Sequence, residues 1–274
     1  MDRLLKLVAG CGLLLWVAAG SASAQSTVAV TLVHHFGGFT GTGNGPLAPL
    51  VQAPDGSFYG TTIGSNGTIF RLVPASDPTL PGTVTTVHTF TATGATGAIP
   101  MAGLIRAADG SYYGTTSRGG ANGAGTVYRM VVSPNGSGGL LHTVEVVHTF
   151  AHSDGWDSNA ALFQDSDGSF YGTTTQGGMY DFGTVFRLEV TVNPVSGAAT
   201  STHTILHEFD GSGGKFPHGA LIKAANGLFY GTTAEGGVGA GTIYQMATDI
   251  SGGGDVFGYV STIRDLDFLS LIHI

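Results

Sequence analysis

Tyr171-Gly172-Thr173-Thr174 is the stretch whose reading decides the fold, because it also stands at Tyr59-Gly60-Thr61-Thr62, Tyr113-Gly114-Thr115-Thr116 and Tyr230-Gly231-Thr232-Thr233, at intervals of 54, 58 and 59 residues. The surroundings repeat with it. Upstream lie Val33-His34-His35-Phe36, Val87-His88-Thr89-Phe90, Val147-His148-Thr149-Phe150 and Leu206-His207-Glu208-Phe209; downstream lies Gly67-Thr68-Ile69-Phe70-Arg71, with copies starting at Gly125, Gly183 and Gly241. Self-similarity at so long a period marks a repeat architecture. Four whole units are visible.

Inside a unit the signals are those of strands and tight turns. Ala220 to Ala224 is a short apolar run, Asn226-Gly227 a turn that needs positive backbone angles, and Leu228-Phe229-Tyr230 the returning strand. Asp55-Gly56, Asp109-Gly110 and Asp167-Gly168 take the turn position in the other units. Gly241 to Gln245 supplies a third strand, and the His-bearing segment of the following unit a fourth. One small sheet cannot bury both faces, so successive sheets must stack, and a period above 50 residues suits blades better than the coils of a β-helix. The expected fold is therefore all-β: a β-propeller of four-stranded antiparallel blades, with four repeats and the start of a fifth, short of a complete ring. Gly60, Gly114, Gly172 and Gly231 are expected to let neighbouring sheets approach closely.

Composition closes off other classes. With 46 Gly in 274 residues a helical bundle is excluded, and 42% apolar residues exclude disorder. A net charge of -8, with only 10 Lys and Arg, argues against a nucleic-acid partner. Residues 1–24 read as a secretory signal peptide: Arg3 and Lys6, the apolar run Leu7 to Ala19, then Ala22-Ser23-Ala24 as cleavage site. The only cysteine, Cys11, lies within it, so residues 25–268, the repeat domain, hold no disulfide. No transmembrane segment is expected there, and the chain is expected to be exported, to an extracellular, cell-surface or periplasmic location.

The unit, with its His-x-Phe, Asp-Gly-Ser-Phe-Tyr-Gly-Thr-Thr, Gly-Gly and Gly-Thr-Val-Phe-Arg elements, resembles the Gloeo/Verruco extracellular repeat (GloVer) of exported bacterial proteins. The resemblance covers about residues 30 to 268. It implies an extracellular location, a propeller-like array and often a C-terminal sorting anchor, and it carries over no catalytic residue. The strand layout is also similar to that of NHL-type propellers, which implies that Ala220 to Ala224 and its copies are innermost and the His-bearing strand outermost. Repeats span about residues 30–82, 83–142, 143–201 and 202–258, with a partial fifth over 259–268. Residues 269–274 match no repeat element and read as an artefactual tail on a fragment.

No nucleophile elbow, metalloprotease pair or phosphate loop is present in the sequence, so no catalytic residue, cofactor or metal is expected. Recurring His34, His88, His148 and His207 would be spread around a ring and read as half-buried structural groups that bond a neighbouring loop. Arg71, Arg129 and Arg187, with Gln245 fourth, read as a repeated surface pairing or backbone contact. Asp165-Ser166-Asp167 has the spacing of a calcium loop, but the other units keep only its turn residues.

Function is expected where the units differ. Two loop sets should share one rim, and the third unit is richest: Asp154, Trp156, Asp157, Tyr180 and Asp181 form an aromatic and acidic group, joined by Asp210 and His218 of the fourth unit. These are the candidate binding residues. They suit a polysaccharide or cell-envelope partner of a non-catalytic interaction module. The alternative is an exported carbohydrate-active lyase or hydrolase that uses paired loop carboxylates.

Overall fold

In a computed structural model, the structure describes residues 32–36, 43–77, 80–237, 239–249 and 257–265. The signal-peptide reading of 1–24 and the tail 269–274 lie outside them. All regular structure among the described residues is β-strand, in four antiparallel sheets. The first holds β1 (Val51–Gln52), β2 (Phe58–Thr62), β3 (Thr68–Val73) and β4 (Thr83–Thr89) in that order. The second holds β5 (Ile105–Arg106), β6 (Tyr112–Thr116), β7 (Thr126–Pro134) and β8 (Leu140–Thr149). The third holds β9 (Phe163–Gln164), β10 (Phe170–Thr174), β11 (Thr184–Val192) and β12 (Ala199–Glu208). The fourth has five strands: β15 (Phe229–Glu235) pairs both β13 (Lys215–Pro217) and β14 (Ile222–Lys223), then β16 (Thr242–Asp249), then β17 (Phe257–Asp265). These are successive propeller blades, and they do not close into a ring.

From the second unit onward, each sequence unit opens with the strand that completes the preceding blade. The segments bearing His88, His148 and His207 are the edge strands β4, β8 and β12, and the partial fifth unit supplies β17. At the opposite edge of each blade the first strand shrinks to two residues, followed by a tight reversal. Ala53 N–H bonds Ser57 O at 2.8 Å, Gly56 N–H bonds Ala53 O at 3.0 Å, and the pattern recurs at 107–111, 165–169 and 224–228. Only the glycine of each turn, Gly56, Gly110, Gly168 or Gly227, has positive φ. The Asp or Asn before it contributes its side chain instead, as Asp167 Oδ1 accepts the Ser169 N–H at 2.9 Å.

The glycine of Tyr-Gly-Thr-Thr serves a purpose other than the expected one. Gly60, Gly114, Gly172 and Gly231 stand in register opposite Phe70, Tyr128, Phe186 and Tyr244 of the same blade. Each ring lies down over its glycine, so a Cβ on Gly172 would fall 2.5 Å from Phe186 Cζ. The close approach is between strands of one sheet. A second ring then covers the first: Phe36 on Phe70, Phe90 on Tyr128, Phe150 on Phe186 and Phe209 on Tyr244, with centroids 4.8, 5.2, 5.3 and 5.2 Å apart. The recurring histidine stands edge-on to this covering Phe in every unit, at 4.7 to 4.9 Å.

The core therefore lies between blades. Tyr59 packs on Tyr112, Tyr113 on Phe170 and Tyr171 on Phe229, each pair crossing from one blade to the next at 4.3 to 4.8 Å. Thr61 Oγ1 donates to Ala102 O and Thr115 Oγ1 to Ala160 O across the same seams. The second threonine works within the blade. Pairs Thr62–Thr68, Thr116–Thr126, Thr174–Thr184 and Thr233–Thr242 share hydroxyl hydrogen bonds of 2.7 to 3.0 Å.

The repeated arginines are paired with the hairpin aspartates: Arg71 with Asp55 at 2.7 Å, Arg129 with Asp109 at 3.4 Å, Arg187 with Asp167 at 3.1 Å. Side chains of Arg129 and Arg187 are only 7% and 8% exposed against 33% and 36% for Asp109 and Asp167, so in these two pairs the arginine is sunk into the blade while the carboxylate end reaches solvent. The fourth unit changes both partners, to Asn226 and Gln245. Arg187 and Lys223 also take up the carboxylates of the Asp165-Ser166-Asp167 stretch, each within ion-pair distance, where a calcium ion would otherwise need them.

Two outcomes follow from this packing. Arg187→Gln should cost about 1 kcal/mol by removing the nearly buried guanidinium that pairs with Asp167 and Glu189, and adding Asp167→Asn should restore part of it, since the fourth unit carries Asn226 and Gln245 at these two places; urea unfolding measures both. Burial holds the imidazoles of His88, His142 and His207 below their ordinary 6.5. The unfolded chain then binds protons that the folded chain refuses, so their contribution is fully present above that pH and is lost as pH falls below it. Thermal unfolding should shift to lower temperature between pH ~7.5 and ~5.5; an unchanged or rising midpoint would contradict this.

Candidate functional site

The loops that precede the first strand of a blade and those that follow the Tyr-Gly-Thr-Thr strand pair with each other. Ala98 bridges Arg118, Trp156 bridges Gln176 and, in the fourth blade, Lys215 pairs with Glu235. They are also hooked to the preceding blade. Ile99 N–H bonds Asn66 O at 2.7 Å, Asp157 N–H bonds Ala124 O at 3.4 Å, and Phe216 N–H bonds Phe182 O at 2.8 Å. All three hooks are non-glycine residues at positive φ, of 57°, 64° and 58°. Held left-handed conformations of this kind cost of order 1 kcal/mol or more each and persist where surrounding contacts dictate them.

Asp157 thus occupies a scaffold position shared by Ile99 and Phe216. Asp154 caps its own loop: Oδ1 accepts the Ala151 N–H at 2.7 Å and Oδ2 lies 3.3 Å from His148 Nε2. Burial pushes its carboxyl up, but the His148 contact, the Ala151 N–H and the charge of nearby imidazoles outweigh that and hold it below the ordinary range. Asp181, at φ 60°, accepts the Gly177 N–H at 2.9 Å and lies 3.5 Å from His152 Nε2. Tyr180 is exposed beside it. Asp210 sits in a turn of the fourth unit, where the Ser212 hydroxyl and N–H hold its carboxyl down. His218 is exposed between β13 and β14.

What the structure brings together is a smaller group centred on Trp156. The indole packs against the core shared by the second and third blades. The Arg118 guanidinium lies 4.8 Å above its ring, and the His152 ring 5.2 Å away at a 46° tilt. Trp156, His152, Asn122, Gly123 and Ala124 line a cleft of about 260 Å³ at the seam of the two blades. Trp156 Nε1 is buried there without a protein partner. Asn122 is fixed by its amide, which donates to Phe150 O at 3.1 Å. Through His152 the cleft reaches Asp181, whereas Asp210 and His218 belong to the next blade. His152 and Asn122 carried no motif that singled them out; only the pairing of the two loop sets places them beside Trp156.

A larger cavity of about 490 Å³ lies over the first blade, lined by Gly43, Asn44 and residues 64–68 and 89–91. Its described lining bears no charged side chain, so the smaller cleft offers the richer chemistry.

With four blades of one pattern in place, the family profile of the Gloeobacter/Verrucomicrobia repeat matches residues 103–260, more than half of the chain. The chain belongs to the Gloeobacter/Verrucomicrobia repeat family. Among solved structures, this repeat protein is similar to a candidate 6-phosphogluconolactonase of Bacteroides uniformis ATCC 8492, at 17% identity and TM-score 0.51 over 82% of this chain and 58% of that one. It is also similar to a candidate oxidoreductase (glucose dehydrogenase) of Thermus thermophilus, at 12% identity and TM-score 0.36 over 82% and 85% of the two chains. A protein of unknown function from Dyadobacter fermentans DSM 18053 matches at 10% identity and TM-score 0.39 over 78% and 63%. The repeat chain spans less than two thirds of the Bacteroides protein, and at such identities the likeness is one of fold alone. No curated protein matches the sequence.

Proposed function

We propose that this repeat protein is exported through residues 1–24 and acts outside the cytoplasm as a non-catalytic binding module, with the cleft around Trp156 as its contact surface. The observation that carries the reading is the cleft's composition. It combines an indole, an imidazole and a carboxamide on loops that differ between units, beside a guanidinium, on a scaffold whose common positions are all engaged in packing. An aromatic surface with adjustable hydrogen-bond groups suits the polyhydroxylated face of a polysaccharide or of another cell-envelope component.

The separate engagement of the carboxylates supports binding over hydrolysis. A glycosidase needs two carboxyl groups flanking one bond, about 5 to 10 Å apart. Asp154 serves His148 and the Ala151 N–H, Asp181 serves the Gly177 N–H and His152, and Asp210 serves Ser212. None of them lines the cleft.

Trp156 gives the test its own reporter, since the only other tryptophan is Trp16 within the leader. In a chain starting at Gln25, titration with soluble envelope polysaccharides should shift the Trp156 emission. Arg118→Ala should weaken binding, and Trp156→Ala, followed by calorimetry, should weaken it by about tenfold or more. Binding that leaves the emission unmoved, or that survives Trp156→Ala at full strength, would reject the cleft as the contact surface.

A further inference from the structure

His148 in β8, Asp154 in the loop that follows it and His203 in β12 of the next blade form a cluster apart from the Trp156 cleft. One donor atom from each lies within 4.8 Å of the other two. The two imidazoles are stacked at 4.2 Å with 5° between their planes, and His148 Nε2 is 3.3 Å from Asp154 Oδ2. That distance is within reach of a charge contact, but the geometry does not make a directed hydrogen bond: the Nε2 atoms of both His148 and His203 are buried with no hydrogen-bond partner. A buried nitrogen left without either kind of contact, as His203 Nε2 is, costs stability unless something else satisfies it.

The placement of His203 sharpens the point. In register it stands opposite Leu188, as Val144 stands opposite Met130 and Val84 opposite Leu72. The blade asks for an apolar side chain there, and the other three blades have one, the fourth with Val260 opposite Met246. The third has an imidazole that packs against Phe186 and Phe150, at 5.2 and 5.8 Å, and gains no protein hydrogen bond at Nε2 for the exchange. His148 is one of the four recurring histidines, so the unit pattern explains it; nothing in that pattern explains His203.

We propose that His148, Asp154 and His203 bind a divalent first-row transition ion, zinc in the first instance, at the seam of the second and third blades. Two imidazoles and a carboxylate are a donor set of that ion's kind, and three protein ligands leave a fourth position for water or an incoming group. Because a metal lies near the plane of each imidazole that binds it, the parallel rings must splay by side-chain rotation to reach one ion. The surrounding Phe150 and Phe186 provide the apolar shell that strengthens such a site, and the side chains of His148 and Asp154, 15% and 26% exposed, leave it a way in from solvent. The ion would tie two edge strands to the loop that carries Trp156. This inference does not depend on what the neighbouring cleft binds.

The test uses the chain from Gln25, purified without a polyhistidine tag and stripped with chelator. Calorimetry with Zn²⁺ near neutral pH should show one equivalent bound, and Co²⁺ should give the visible absorption of a low-coordinate nitrogen and oxygen site. His203→Val, which installs the residue that the first and second blades carry, should keep the fold, unfold at an equal or higher temperature without metal, and weaken binding by about tenfold or more. His148→Gln should weaken it comparably. Wild-type protein that binds no equivalent of Zn²⁺, or stoichiometric binding that survives in either variant, would overturn the proposal.

Discussion

An absent side chain carries the architecture. At Gly60, Gly114, Gly172 and Gly231 the missing Cβ lets the cross-strand ring of Phe70, Tyr128, Phe186 or Tyr244 lie flat over the backbone, and the Phe of the His-x-Phe element closes over that ring. All three layers come from one sequence unit. Phe90, Phe150 and Phe209 are reached from the edge strand of the preceding blade, so three of the stacks also fasten two blades together. The tyrosine before each glycine points the other way along the chain of blades, as Tyr59, Tyr113 and Tyr171 pack on the following sheet. Ring and counter-ring thus fasten the blades as a disulfide would elsewhere, in a repeat domain whose sequence has no cysteine after Cys11.

This division of labour says where function can sit. Positions common to the units are used up: the glycine by its ring, the second threonine by its partner threonine, the hairpin Asp by Arg, the left-handed hooks at Ile99, Asp157 and Phe216 by the preceding blade. What remains free to vary is the pair of loops at each seam. Between the second and third blades those loops carry Trp156, Arg118, His152 and Asn122, and a few residues away the edge strands carry His148 and His203. Both candidate sites therefore fall at one junction, the first built on the rim and the second between the strands behind it.

The fold was legible because its signals are periodic. Four copies of one pattern give the strand count, the order within a blade and the fourth strand borrowed from the next unit, and these reappear in the strand pairing, with β13 added beside β14 in the fourth sheet. The reason for the recurring glycine was not legible, since sequence spacing cannot tell a ring laid across one sheet from a neighbouring sheet drawn close. The candidate site was legible only in part. Trp156 and Asp181 stand out by residue type, and the structure links them through His152. Asp157 looked like a site carboxylate because its acidity is visible in the sequence and its backbone angle is not. His203 is not legible for the opposite reason: it lies outside the repeating motif, and its register equivalence to Val84 and Val144 exists only once the strands are paired.

A double-mutant cycle on the third blade, read by urea unfolding, tests the glycine and ring pairing most directly. Gly172→Ala forces a methyl group into the Phe186 ring and should cost about 1–3 kcal/mol, and Phe186→Leu should cost a similar amount by removing that ring. Made together, they should cost less than their sum by ~1 kcal/mol, because the smaller side chain makes room for the methyl. Costs that add to within ~0.5 kcal/mol would mean that glycine and ring act independently, and would contradict the account.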